Sequence, residues 1–143
     1  MVPVSQLLAL KGQDLYRLRP EDPVIDAIQL MADKGVGALL VMEGDRLVGI
    51  LSERDYARKV ILKGRSSKDT PISAIMTPAP LVTVSSKSRT KECMRLMTDR
   101  RIRHLPVVDD GKVVGMLSIG DLVRSIIEGL EGEVEQLKQY IAG

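Results

Sequence analysis

Aromatic side chains are almost missing from this sequence, whose 143 residues include three Tyr and no Phe or Trp. A core must therefore be assembled from Leu, Ile, Val, Met and Ala, and the stacking platforms that grip single-stranded nucleic acid are in short supply. A single cysteine, Cys93, excludes an internal disulfide and any multi-cysteine metal site. Its setting, TKECMRLM, places it on an apolar helix face as a structural thiol rather than a nucleophile. Neither sign of charge dominates: 21 Lys and Arg oppose 19 Asp and Glu, and the basic residues are scattered among the acidic ones. That is a mixed, solvated surface and argues against a nucleic-acid partner. No apolar run reaches the roughly 18 residues a membrane span needs, and no signal-peptide core opens the chain. The expectation is a cytoplasmic protein with no membrane partner. Histidine is nearly missing too, and the one present, His104, stands in RIRHLPV beside Arg101 and Arg103. A lone His with no motif partner is poor evidence for catalysis, so an enzyme is not expected.

What the sequence does contain is a repeat. Residues 27–61 and 93–127, at an offset of 66, share twelve identities in 35 positions, including Leu30/Leu96, Met31/Met97, Gly49/Gly115, Ser52/Ser118 and Asp55/Asp121. Ordinary residue usage would give about two or three. VSQLL at 4–8 pairs with ISAIM at 72–76 after a two-residue slip. Each half reads as a short apolar helix, an extended segment, an amphipathic helix, two strands joined by EGD or DDG, and a closing helix that starts at Ser52 or Ser118. Pro106 cannot donate to a ladder, so an edge position is expected for its strand. KGRSSKDTP, 63–71, has the composition of a connector. The tail EGEVEQLKQYIAG has apolar residues at 134, 137, 140 and 141, as in a short amphipathic helix suited to packing or dimerisation. The expected organisation is a first domain over 1–62, a linker over 63–71, a second domain over 72–130 and a helical tail over 131–143.

Both halves carry Gly-x-x-Ser-x-x-Asp where a strand gives way to a helix: GILSERD and GMLSIGD. One reading is a ligand site. The glycine lets backbone approach a ligand, the serine hydroxyl and first helical N–H groups face an anion, and the aspartate accepts both hydrogen bonds of a ribose diol. The other is a helix cap, since Ser followed three residues later by an acidic side chain is a small capping box.

The paired junctions, with RHLPVVDDGKVVGMLSIGDLV in the second half, resemble a tandem pair of cystathionine β-synthase (CBS) domains, over residues 4 to about 130. The resemblance implies an α+β fold: two β-α-β-β-α units about a pseudo-twofold axis, small three-stranded sheets with helices on one face, and two clefts between the units. It also implies a non-catalytic sensor that binds AMP, ADP, ATP, NAD(H) or S-adenosylmethionine, forms a homodimer and adjusts a separate, unidentified protein. Carried onto this chain, Ser52 and Ser118 become phosphate-side donors, and Asp55 and Asp121 ribose acceptors. Backbone at Val36, Gly37 and Ala38 and at Ile102 to His104 meets adenine or phosphate, with Pro106 beside it, and the extended segments around Arg17 and Thr83 complete the walls. In the gamma subunits of AMP-activated protein kinase, similar to RIRHLPV, the two basic residues before Leu-Pro reach phosphate; Arg103 and His104 match them. Their counterparts are Gly37 and Ala38, so the clefts are not equivalent, and the cations are expected over the ribose held by Asp55. Arg54, Lys63, Arg65 and Lys68 are then candidates to supply the cleft of Asp121. A structural or interaction module with vestigial clefts is the alternative.

Overall fold

A computed structural model describes residues 2–11 and 15–142. It contains α1 (Val4–Lys11), β1 (Arg17–Leu18), α2 (Val24–Lys34), β2 (Ala38–Glu43), β3 (Arg46–Ser52) and α3 (Glu53–Tyr56), which runs on into a π turn over Ala57–Ile61. A 3-10 turn (Ile72–Ala74) and β4 (Thr77–Pro78) follow. The chain then forms α4 (Thr90–Arg100), β5 (His104–Asp109), β6 (Lys112–Ser118) and α5 (Ile119–Ala142). The α+β order is the one the repeat implies, with two departures. The helix expected at the head of the second half is only a 3-10 turn, because Pro78 forces Thr77 into an extended conformation. The tail is not a separate short helix but the second half of α5, 24 residues without a break.

The chain forms two compact units, and neither is contiguous. One takes residues 1–13, 83–110 and 114–143; the other takes 14–82 and 111–113. Each half of the sequence therefore contributes its leading segment to the strands of the other half. The hydrogen bonds that fasten these segments repeat, with acceptors offset by 66 and donors by 68, the two-residue slip seen in the sequence. In the first unit, Val4 N–H donates to Ser88 O (2.8 Å) and Ser5 N–H to Ser86 O (2.9 Å). In the second, Ile72 N–H donates to Asp22 O (2.9 Å) and Ser73 N–H to Pro20 O (2.9 Å). Buried side chains correspond as well: Val4, Leu7, Cys93, Met97, Leu105, Val107 and Leu117 in one unit against Ile72, Ile75, Ala27, Met31, Leu39, Val41 and Leu51 in the other. The expected structural role of Cys93 fits its burial, which, with the charge of Glu92, pushes its thiol up to about 11.

The glycine of each junction packs rather than approaches a ligand, and the sequence reading is corrected here. A Cβ at Gly115 would lie 2.6 Å from Leu8 Cδ2, and one at Gly49 would lie 2.9 Å from Thr77 O and 3.1 Å from Met76 Cγ. Leu8 and Met76 are the equivalent residues of the two exchanged segments, so each glycine opens space for the segment donated by the other half.

The sheets differ from the three strands expected of each: one has four, β1 to β4, and the other two, β5 and β6, and Pro106 accounts for the missing partner of β5. In the order β1-β2-β3-β4, β1 runs parallel to β2, and Leu40 N–H donates to Tyr16 O (3.3 Å). The counterpart of Leu40 is Pro106, which has no N–H to give. Val84 still bridges Val107, with Val84 N–H on Pro106 O (3.1 Å) and Val108 N–H on Val84 O (2.8 Å), but the contact stops at a single bridge. The strand holding Pro106 thus lies at the edge of its two-stranded sheet, as expected, with the single Val84 bridge on its outer side. The β5–β6 turn has Asp110 and Gly111 both at positive φ (50° and 77°), the geometry that suits the twist of a two-residue hairpin. At the end of α4, Arg101 takes the left-handed conformation (φ 55°) that Gly35 takes after α2. Arg101 thus occupies a helix-stop position, and its side chain is exposed.

Candidate functional site

The two Ser-x-x-Asp junctions are built alike. At the end of β3 Ser52 remains extended, and its Oγ accepts the Asp55 N–H (3.1 Å) while Asp55 Oδ2 accepts the Ser52 N–H (3.0 Å). After β6, Ser118 Oγ accepts the Asp121 N–H (3.2 Å) and Asp121 Oδ2 the Ser118 N–H (2.8 Å). Both are reciprocal capping boxes, so the capping alternative is realised in each copy. A second tie draws the preceding loop to each helix start: Glu53 N–H donates to Gly37 O (3.0 Å) and Ile119 N–H to Arg103 O (2.8 Å). Backbone at 36–38 therefore lies beside Ser52 and Asp55, and backbone at 102–104 beside Ser118 and Asp121.

Two lysines that the sequence reading did not single out engage the carboxylates. Lys59 Nζ sits 3.3 Å from Asp55 Oδ1 and donates to Ile75 O (3.0 Å). Lys11 Nζ donates to Asp121 Oδ2 (2.8 Å) and to Met116 O (2.7 Å). Lys59 was within reach of sequence reasoning, because i and i+4 share a helix face. Lys11 stands 110 residues from Asp121, and no local pattern announces it.

The group around Asp121 is strongly coupled. Burial works to raise the Asp121 pKa, but the Lys11 ammonium and the Ser118 N–H and hydroxyl hold the carboxyl below its ordinary value. Partial burial and then the Lys11 charge push His104 below the ordinary imidazole range; Asp121 opposes this and Arg103 adds to it. His104 is thus neutral at pH 7 and offers one N–H donor rather than a full charge. Because the unfolded chain binds a proton on this residue more readily, stability is complete above the ordinary pKa of 6.5 and declines as pH falls through that value. His104 is also the sole imidazole of the chain, so its ring signals titrate without overlap. We expect an NMR titration to return a pKa below 6.5. Lys11→Met should raise it, since a nearby cation is lost and Asp121 is relieved of its partner. An unchanged pKa in that variant would mean Lys11 does not set the local field.

The remaining sequence-derived residues divide between the units. Arg103, His104, Ile102, Pro106, Thr83, Ser118 and Asp121 share one; Arg17, Val36, Gly37, Ala38, Ser52, Arg54, Asp55, Lys63, Arg65 and Lys68 share the other. Within their own unit Arg103 and His104 are charge neighbours of the group around Asp121. Lys63 and Arg65 are exposed on the turn at the far end of the helix that Ser52 opens, and Arg54 is exposed on its first turn. Among the described residues, no group of three His, Cys, Asp or Glu could hold a metal ion, and no helix is long and apolar enough to cross a membrane.

Comparison with known proteins agrees with this geometry. The CBS domain family matches residues 11–62 and again 72–128. A mitochondrial CBS domain-containing protein of Arabidopsis thaliana is 46% identical over 127 residues, covering 86% of this chain and 62% of its own. The chain thus spans less than two thirds of that relative, and 22% of the longer Arabidopsis CBS proteins it also matches. Among solved structures, a protein with CBS domains from Burkholderia ambifaria is 52% identical with a TM-score of 0.85, covering 89% of this chain and 95% of that one. A CBS domain protein of Pyrobaculum aerophilum, complexed with AMP, is 26% identical with a TM-score of 0.78, covering 92% and 99%. With two matched segments, two equivalent Ser-x-x-Asp junctions and reciprocal exchange of leading segments, the chain belongs to the CBS-domain family and is a tandem regulatory module of that family.

Proposed function

We propose that this module is a non-catalytic sensor of adenosine-containing ligands, AMP, ADP, ATP or NAD(H), which adjusts a separate partner protein. One observation carries the reading: the strand-to-helix junction with serine, aspartate and adjacent loop backbone is complete in both copies. A carboxylate at such a place can accept both hydroxyls of a ribose, while the serine hydroxyl and first-turn N–H groups favour phosphate. The AMP held by the Pyrobaculum relative supports the same ligand class. On this reading the ribose diol replaces the Lys11 ammonium on Asp121, and the displaced cation, with Arg103 and the N–H of His104, turns to phosphate. The second reading, an interaction module with vestigial clefts, draws on the fact that both carboxylates already serve as caps and ion-pair partners.

Titration calorimetry separates the two. AMP, ATP, NADH and S-adenosylmethionine are compared with adenosine, and the sensor reading expects saturable binding of at least one phosphorylated ligand. Replacing Arg103 and His104 together by Ala should weaken AMP about tenfold or more relative to adenosine, because charge-assisted contacts to phosphate contribute roughly 1.5–3 kcal/mol. Failure of all four ligands to bind at millimolar concentration would leave the interaction module as the function.

A further inference from the structure

The unit of residues 14–82 and 111–113 holds a cleft of about 170 Å³ toward the hairpin end of β2 and β3, the end opposite Ser52. Leu40 and Met42 form its floor, while their neighbours Leu39 and Val41 pack in the core. Leu15 and Val113, both half-buried, form its sides. The β2–β3 register slips between Val41 and Met42, and such a bulge re-aims side chains and is common beside binding sites. An apolar cavity of roughly 150 Å³ takes one benzene-sized group, so this cleft has room for one side chain the size of Leu, Met or Phe. None of Ser52, Asp55, Ser118 or Asp121 lines it.

Three charged residues, Arg17, Asp45 and Lys112, stand at the mouth of the cleft, and all are exposed. Among the described residues their side chains make no hydrogen bond and no ion pair, whereas the adjacent Arg46 is paired with Glu43 at 2.8 Å. Two cations and a carboxylate thus share one opening without neutralising each other. Arg17, which the family resemblance assigns to a nucleotide wall, lines this cleft. A guanidinium presents a planar fork that fits a carboxylate, an ammonium adds a second positive charge to it, and the Asp45 carboxylate can accept from a ligand ammonium. A free α-amino acid carries a carboxylate, an ammonium and one side chain on a single carbon, so it matches all three charges and the apolar floor together. A simple carboxylate would set like charge against Asp45, and a simple amine would face two cations.

We infer that this cleft binds a free α-amino acid with an apolar side chain. The side chain rests on Leu40 and Met42, the carboxylate is held by Arg17 and Lys112, and the ammonium is held by Asp45. This inference is independent of any nucleotide reading.

Titration of the isotope-labelled full chain with L-leucine, L-methionine and L-phenylalanine, followed by amide NMR spectra, tests it. At least one of the three should saturate at millimolar concentration and shift the amides of residues 15–17, 40–45 and 112–113, while those of Ser52, Asp55, Ser118 and Asp121 stay in place. For L-leucine, the analogues that lack one head group, 4-methylpentanoate without the ammonium and isopentylamine without the carboxylate, should each bind about fivefold more weakly. Asp45→Asn should weaken L-leucine about fivefold and leave 4-methylpentanoate no weaker, whereas Arg17→Gln should weaken both alike. Both side chains are exposed, so these variants should melt with the parent chain. No saturable binding of any of the three amino acids, shifts confined to other residues, 4-methylpentanoate binding as well as L-leucine, or indifference of L-leucine to Asp45→Asn would each overturn the inference.

Discussion

Asp121→Ala is expected to weaken nucleotide binding about tenfold or more, since a charged acceptor of ribose hydroxyls contributes on the order of 1.5–3 kcal/mol. The same substitution has a structural cost that must be separated from this loss. Asp121 accepts the Ser118 N–H at 2.8 Å and the Lys11 ammonium at 2.8 Å, so its removal uncaps α5 and leaves Lys11 without its carboxylate. Loss of a cap destabilises by about 1 kcal/mol. Asp121→Asn distinguishes the two effects. An amide oxygen can still accept from Ser118, so thermal stability should largely survive, but that one oxygen, already engaged by the Ser118 N–H, cannot also accept both hydroxyls of a diol. Calorimetry should show Asn and Ala weakening the nucleotide alike while differing in melting temperature. If both variants bind AMP as the parent does, Asp121 is a helix cap and nothing more. The same pair of substitutions at Asp55, whose box is completed by Ser52 and flanked by Lys59, reports on the other junction.

The second large effect lies in the exchanged segments. Gly49→Ala is expected to destabilise by about 2–3 kcal/mol, the upper range for overpacking a well-filled site. Its methyl would meet the Thr77 carbonyl oxygen at 2.9 Å as well as the Met76 side chain, and a backbone oxygen held beside β3 by its sheet register cannot rotate away. Gly115→Ala meets only Leu8, at 2.6 Å from Cδ2 and 3.0 Å from Cδ1, and the end of a half-buried leucine can swing aside. Thermal denaturation should therefore rank Gly49→Ala well below Gly115→Ala, with a drop of roughly 5–10 °C for the former at this chain length. Adding Met76→Ala to Gly49→Ala should recover only part of the loss, since the carbonyl stays. Equal effects at the two glycines would show that the donated segments can shift bodily and that the close approach is not restrictive.

Much of the fold was legible because its signals are local. The helices over 24–34 and 90–100 follow from apolar spacing, the strands from alternation between turn residues, and the capping boxes from Ser and Asp three residues apart. The site was legible to the same extent. Ser52, Asp55, Ser118 and Asp121 stand in an identical pattern, and carbonyls at 37 and 103 accept from the helix starts beside them. What escaped were partners brought from elsewhere in the chain, such as Lys11, and the purpose of the glycine, which admits a packed segment. The tail was underread because its apolar positions were treated as a short separate unit, whereas α5 runs unbroken from Ile119 to Ala142.

The sequence by itself determined the duplication, the main helices and strands, and the Ser-x-x-Asp pattern that forms each cap, since each depends on residues within a turn or two of one another. Only the tertiary structure decided which half each leading segment joins, which cation reaches Asp121, and where Pro106 cuts a parallel strand to one bridge. Those outcomes turn on surfaces that meet across roughly 20 to 110 residues, and their fit depends on shape and hydrogen-bond direction that no local pattern records.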